Sequence, residues 1–474
     1  MSTSAIRSRR TFLQTTAVAV ASLALATACG KKPTGDAATG AGSPVLAGGD
    51  ASLVKIVSSL PRTGSANAQT TTMVNGIKMA IDEVGGKVGP FRVVYEDWDD
   101  ASAKKGDWDP EVEASNANKA VQDPDVMFYL GTYNSGAAKI AMPILNKASL
   151  VMISPANTYT GLTKPGMGEP NEPAVYRPTG KVNYFRVVPA DDIQGKAAAE
   201  WIQKLGGKSV YVLDDRGLYG KGIADVFVSS APEYGITVQG REGIDPKAQE
   251  YRSLMTKIKA TSPEWVYYGG TTQTNAGQIA KDMVAVGLTA KLMVPDGCFE
   301  DAFIQAAGAD NVNGRSHVTF GGVPPEELTG KGADFVKRYE EKYKQRPEAY
   351  AVYGYVAAKV ALEALEKVGK KDREALRVAM TQIEQKDGAL GTWKFDDNGD
   401  TTSTTMSGNI VENGKFKFSI LLGAGDAPAA PPPAAPSPVD APAAVTAPAA
   451  PSVPTAAAVP APAPVPAPAR APAP

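Results

Sequence analysis

VMFYLGTYNSGAAKIAMPILNKASLVMISPANT, residues 126–158, sets an apolar run, a small polar loop, a helical pattern and a second apolar run in direct succession. VMFYL (126–130) has the length and aromatic content of a buried strand. In AAKIAMPILNKA (137–148) the apolar residues fall at helical spacing, and LVMIS (150–154) is again strand-like. A strand, a helix and a strand joined by short loops form the unit of a parallel sheet. Between the first strand and the helix stands Ser135, four residues after Gly131. A hydroxyl there could be a nucleophile, part of a phosphate cradle, a helix cap or one finger of a ligand clasp.

The same rhythm extends in both directions. Upstream, LVKIVSSL (53–60) and FRVVYEDW (91–98) read as strands. TTTMVNGIKMAIDEVGG (70–86) is helical, with Met73, Ile77, Ala80 and Ile81 on one face and Gly85-Gly86 as its stop. PEVEASNANKAVQ (110–122) is the next helix. Downstream, helices are expected at 192–206, 220–235, 250–261 and 275–288, and strands at 209–215, 237–244, 264–270 and 290–295. Two successive α/β units imply two lobes, each with a parallel sheet covered on both faces. Ligands of such sheets bind beyond the carboxyl ends of the strands, so facing lobes would share a cleft.

Composition narrows the function classes. The chain has 474 residues, 43% apolar and 21% charged, with 49 basic and 50 acidic side chains and a net charge of −1. Nothing in that balance calls for a nucleic-acid partner. The single histidine, His317 in SHVTF, excludes a histidine-based metal cluster and reads as a structural strand residue. Of the two cysteines, Cys29 lies near the N-terminus and Cys298 in PDGCFE, so no disulfide is expected.

The ends differ from the middle. Ser8, Arg9, Arg10, Phe12 and Leu13 resemble the twin-arginine export motif, and the apolar run 17–28 has signal-peptide length, too short for a membrane span. ATAC (26–29) resembles a lipoprotein cleavage box, with Ala26 where leucine is usual. Residues 1–28 are therefore expected to be a signal peptide with Cys29 lipidated, the alternative being a soluble secreted form. Several acyl chains on Cys29 would anchor the chain stably to the outer face of the cytoplasmic membrane. Residues 29–51 read as a flexible tether. The tail 424–474 is dominated by proline and alanine and is expected to be disordered, as a spacer or as a partner-binding stalk.

The strand-to-helix loops are the candidate site: 58–69, GTYNSG (131–136), SPANTYTG (154–161), DDRGLYG (214–220), GGTTQTN (269–275) and PDGCFE (295–300). They are rich in small residues, hydroxyls and aromatics, which suits a small zwitterion better than a phosphate or a polymer. Asp214-Asp215, at a strand end, are ligand-facing, cation-binding or simply solvated. EPNEPAVYRPTGKVNYFRV (169–187) is either an insertion flanking the cleft or surface decoration.

On these loops the chain resembles the type I periplasmic solute-binding proteins of ABC importers, in their leucine/isoleucine/valine-binding branch. RTGSANAQTTTMVNGIKMAIDEVGG, with Gly64 and Gly76, is similar to the family's first loop and helix. So are YLGTYNSGAAKIAMPILNKASLVMISPANT, WVYYGGTTQTNAGQIAKDMVAVGL and GTWKFDDNGD, the last resembling the C-terminal hairpin. The resemblance runs over about 52–420 and implies two doubly wound lobes joined by three crossovers. Lobe 1 would be 52–189 with 322–392, and lobe 2 190–321 with 393–423.

By the same resemblance Ser135 binds a ligand carboxylate, while also serving as an N-cap. Ala156 and Thr158 take the ligand ammonium. Tyr219 and Asp296 face it from lobe 2, with Asp296 where leucine-type members have glutamate. Thr271 replaces a second tyrosine, and Gln69 replaces an aromatic wall. These departures point to a polar side chain on the ligand. Competing chemistry has little support: Ser135 lacks a GxSxG context, and no GxxxxGK or strand-following GxGxxG occurs. DDNGD (396–400) lacks EF-hand spacing, and Asn398-Gly399 reads as a hairpin turn. The expected protein is not an enzyme and needs no cofactor or metal. It is a monomeric receptor that passes an amino acid or small amide to an ABC permease; the alternative is a sensor of the same fold signalling to a membrane partner.

Overall fold

A computed structural model describes residues 50–423; the segment expected to be a signal peptide, Cys29 and the proline/alanine-rich tail lie outside the described residues. The first half of the chain runs β1 (Leu53–Leu60), α1 (Asn67–Glu83), β2 (Lys87–Val88), β3 (Phe91–Asp99), β4 (Ala101–Ser102), β5 (Asp107–Trp108), α2 (Pro110–Gln122), β6 (Val126–Gly131), α3 (Ser135–Lys147), β7 (Val151–Ser154) and β8 (Tyr184–Arg186). Its main sheet has the order β2-β3-β1-β6-β7-β8, parallel except for the β2–β3 edge. Along β6 and β7 the residues alternate between two cores. Phe128, Leu130, Val151 and Ile153 face one cluster, and Tyr129 and Met152 the other. Both faces are thus buried, which is why these strands read as continuous apolar runs.

The chain then continues as α4 (Asp191–Lys204), β9 (Ser209–Asp214), α5 (Leu218–Ser230), β10 (Thr237–Gly243), α6 (Arg252–Thr261), β11 (Trp265–Gly269), α7 (Ala276–Ala285), β12 (Lys291–Val294), α8 (Asp301–Ala307), α9 (Ala309–Val312) and β13 (Ser316–Gly321). It returns through α10 (Lys331–Tyr343), α11 (Ala351–Val368), α12 (Arg373–Met380), β14 (Glu384–Gly388) and β15 (Gly391–Lys394), and ends in β16 (Met406–Glu412) and β17 (Lys415–Leu422). The second sheet has the order β10-β9-β11-β12-β13-β16-β17, with the last two strands antiparallel.

Helices α11 and α1 pack against each other at glycines. A Cβ on Gly76 would lie 2.2 Å from the Ala351 carbonyl oxygen, and one on Gly354 would lie 2.3 Å from that of Met73. The two backbones touch, so the returning segment belongs structurally to the first sheet.

Some elements differ from the sequence expectation. The helix expected over 220–235 ends at Ser230 and continues only as a 3₁₀ turn over Ala231–Tyr234, because Pro232 cannot donate an amide hydrogen bond. The expected hairpin at GTWKFDDNGD is rearranged. β15 pairs with β14 upstream of it, while the Asp396–Asp400 turn closes only an isolated Phe395–Thr401 bridge. His317 is a strand residue of β13, wedged edge-on between Trp201 and Trp265 with ring centroids 5.1 and 4.8 Å away. Burial pulls its pKa down to about 4, which keeps it neutral.

One ion pair fastens the passage between the sheets. Arg186, at the end of β8, is fully buried and meets Asp400 with Nε–Oδ1 at 2.7 Å. Its guanidinium donates five hydrogen bonds: two to Asp400, one to the Thr163 hydroxyl, and one each to the carbonyls of Asn157 (3.3 Å) and Tyr159 (2.9 Å). The backbones join as well, Arg186 N–H to Gly399 O at 3.0 Å and Thr401 N–H to Arg186 O at 3.1 Å. Burial opposes both charges, but each partner more than compensates the other: Arg186 is held above its ordinary pKa and Asp400 below the usual carboxylate range.

Replacing Asp400 by alanine leaves Arg186 as an uncompensated buried cation and should cost about 3–5 kcal/mol in denaturant unfolding. A paired Arg186→Met, Asp400→Leu variant should lose less than either single change. Asp400 has an ordinary unfolded value near about 3.9 and a lower folded one. Its contribution is therefore complete above about pH 4 and disappears as pH falls through the folded value, a dependence that Asp400→Asn should remove.

Candidate functional site

The carboxyl ends of both sheets face one cavity of about 130 Å³. An engineered apolar cavity of about 150 Å³ holds benzene, so this one matches a ligand of a few heavy atoms. From the first lobe it is lined by Trp108, Tyr133, Ser135, Ala156, Thr158 and Tyr350; from the second by Asp215, Tyr219, Thr271, Thr274 and Asp296.

The first-lobe wall is set by short turns. β6 ends at Gly131, where a Cβ would stand 2.6 Å from the Ser59 carbonyl of the neighbouring strand. After Asn134 in extended conformation, α3 begins at Ser135, so its free amides point into the cavity. Ser135 is therefore not the N-cap: Asn134 holds that position, and the Ser135 hydroxyl accepts a long hydrogen bond from Tyr159 N–H at 3.4 Å. At the end of β7, the Ser154 hydroxyl donates to Thr132 O and accepts the amides of Ala156 (3.1 Å) and Asn157 (2.8 Å), which bends 155–158 across the cavity. The Thr158 hydroxyl oxygen is buried and has no partner at normal hydrogen-bond distance among the described residues, although it lies close enough to the Asp191 carboxyl to favour its charged form.

The second-lobe wall carries the acidic groups. Asp296 follows β12 and is almost fully buried. It accepts hydrogen bonds from Tyr219 at 2.6 Å and from Tyr350, the latter reaching across from the first lobe. Burial raises its pKa, and the two tyrosine hydroxyls hold it back. Behind it, Asp191 at the start of α4 is completely buried with neither oxygen hydrogen-bonded among the described residues; burial and then the Asp296 charge push it well up. The N-terminus of α5 begins at Leu218, so a second set of free helix amides meets the cavity opposite α3. Thr271 forms a reciprocal capping box with Thr274.

Six of the residues singled out by sequence, Ser135, Ala156, Thr158, Tyr219, Thr271 and Asp296, line this cavity. Gln69 does not. Its side chain is buried on α1 and donates to Phe299 O at 3.4 Å, so it joins the two lobes rather than walling the cavity. Cys29 lies outside the described residues. Trp108 and Tyr350, which supply aromatic walls, were not identified from sequence: Trp108 ends the short strand β5 and Tyr350 holds the N-cap position of α11, both outside the recognised loops. The segment 169–187 is more than decoration. Buried Glu172 accepts from the hydroxyls of Tyr159 (2.8 Å) and Tyr176, and Glu169 reaches Lys221 of α5 at 3.5 Å.

Comparison with known proteins agrees with this geometry. The family model described as "Periplasmic binding protein" matches residues 53–414. The Leu/Ile/Val-binding protein BraC3 of Rhizobium johnstonii is 29% identical over 361 residues, 75% of this chain and 91% of that protein. A Leu/Ile/Val-binding protein homolog 1 from Brucella abortus is 28% identical over 344 residues, 72% of this chain and 85% of that one. Among solved structures, the leucine-binding protein LivK from Thermotoga maritima superposes with a TM-score of 0.70 at 26% identity, covering 79% of this chain and 100% of that one.

Tyr350→Phe should remove a lobe-to-lobe hydrogen bond and cost about 1.5–3 kcal/mol, as bonds to charged groups do. Because the ionised carboxylate is what needs the donor, the loss in denaturant midpoint should be larger at pH 8 than at pH 5, and the Asp296 pKa should rise further.

Proposed function

We infer the function from one premise: the chain belongs to the periplasmic binding protein family. It is a substrate-binding protein of an ABC importer that takes up an amino acid or similar small zwitterion between its lobes and presents it to a membrane permease. One observation carries this reading. Two helix N-termini, those of α3 and α5, meet one cavity from opposite lobes, with a buried carboxylate, Asp296, on its wall. Helix N-termini favour an anion and a buried carboxylate favours a cation, so the cavity is complementary to a small molecule carrying both.

The assigned roles follow from that polarity. Ser135 and the α3 amides receive the ligand carboxylate. The Thr158 hydroxyl and the Ala156 carbonyl receive the α-ammonium, and Asp296 neutralises it. Tyr219 and Thr271 close the second-lobe side. The division into 52–189 with 322–392 and 190–321 with 393–423 makes the clamshell, and closure buries the ligand between the halves. Among the described residues no helix is long and apolar enough to cross a membrane. Export by the twin-arginine signal, anchoring through lipidated Cys29 and a monomeric state complete the proposal. Solved structures of the same fold that are described as transporter substrate-binding proteins support import over sensing.

A thermal-shift and calorimetric screen of amino acids, amides and short organic acids tests this. A specific amino acid at 100 times its Kd should stabilise the fold by about 2.7 kcal/mol. Ser135→Ala should weaken binding by about tenfold, the equivalent of about 1.4 kcal/mol. An absence of any amino-acid response would overturn the ligand class. In cells, Cys29→Ser should move the protein from the membrane fraction to the soluble one.

A further inference from the structure

The cavity holds more negative charge than a neutral zwitterion can answer. Three of its lining residues carry carboxyl groups, Asp107, Asp215 and Asp296, and none carries a basic group. Asp296 is matched to the α-ammonium under the reading above, on which this inference rests. Asp107 is half-buried at the rim, and its Oδ1 accepts the Trp108 amide at 2.8 Å. Asp215 is the enclosed one. It directly follows β9, is 7% exposed, and is held by the Gly217 amide at 2.8 Å.

The surroundings of Asp215 are shaped to keep a carboxylate in place. A Cβ on Gly220 would stand 2.3 Å from Asp215 Oδ1 and 2.5 Å from the Gly269 carbonyl, so only glycine at 220 leaves room for it. No side-chain cation pairs with it: the neighbouring Asp214 takes Arg241 at 3.2 Å, and Arg216 turns away to the Gly243 carbonyl at 2.6 Å. Burial, partly offset by the Gly217 amide and the Thr274 hydroxyl, lifts the Asp215 pKa to about 6. One further buried acceptor in the cavity lining, Asn134 Oδ1, has no partner among the described residues. An aliphatic ligand side chain would strip water from these groups and return no hydrogen bond, which is costly.

We propose that the ligand carries a second cationic group, an ammonium on a short side chain, and that Asp215 is the residue that selects it. Such a ligand has net charge +1 at neutral pH, one carboxylate for the two helix N-termini and one cation for each enclosed acid.

Calorimetry at pH 7.5 with 2,4-diaminobutyrate and 2-aminobutyrate tests this, because the two differ only in the second ammonium. The diamino acid should bind at least tenfold more tightly to the wild-type protein, and Asp215→Asn should cut that ratio to about threefold or less. Equal or tighter binding of 2-aminobutyrate or leucine would overturn the inference while leaving the amino-acid reading intact. So would a preference that survives Asp215→Asn, or a larger Asp215-dependent preference for asparagine, which would make the second group a neutral donor. If neither cationic nor neutral amino acids bind, the reading on which the inference rests fails with it. If Asp215→Asn does not fold, the wild-type ratio still decides the second charge, and Asp215→Glu, which keeps the charge, should retain the preference for a diamino acid while Asp215→Ser should lose it.

Discussion

The buried pair Arg186–Asp400 is the constraint on which the arrangement of the two lobes depends. It sits where the chain leaves the first sheet, and it binds the segment that leads back into the second. A guanidinium out of water is tolerable only when its donors are satisfied, and here all five find acceptors. Two of those acceptors are the carbonyls of Asn157 and Tyr159, which flank Thr158 in the cavity wall. The hinge and the proposed ammonium seat therefore share one hydrogen-bond network. A change at the hinge is transmitted to the cavity through covalent neighbours, with no longer pathway needed.

The cavity combines two electrostatic characters in a small volume. Helix N-termini from both lobes make part of it favourable to an anion, while buried carboxylates make another part favourable to cations. The second lobe carries both characters, and the first adds the α3 N-terminus opposite. The Tyr350–Asp296 hydrogen bond and the Glu169–Lys221 contact both span the lobes, so the closed arrangement has polar stitching of its own. The ion pair is exposed and is worth little, whereas the Tyr350 bond is buried and charged.

Much of this was legible in the sequence, for a definite reason. Parallel sheets place their ligand loops after the strands, and the strands announce themselves as apolar runs, so the loops could be picked from short windows; the family resemblance then singled out Ser135, Ala156, Thr158, Tyr219, Thr271 and Asp296 within them. What could not be read was anything that needs two distant segments at once. Asp400 looked like a turn residue because its partner lies 214 positions away. Tyr350 precedes a helix that joins the first lobe by packing against α1, a segment distant in sequence. By resemblance Gln69 stands at a wall position, yet its side chain reaches the Phe299 carbonyl instead. The N-cap position expected for Ser135 is held by Asn134, whose side chain makes no capping bond, while the serine hydroxyl accepts the Tyr159 amide.

The structure of the protein with its amino acid bound tests this arrangement most directly. The ligand carboxylate should lie within hydrogen-bond distance of the Ser135 hydroxyl and the first amides of α3, with its α-ammonium on Thr158 and Asp296. A ligand bound with the opposite polarity, its carboxylate toward Asp296, or seated outside the interlobe cavity, would contradict it.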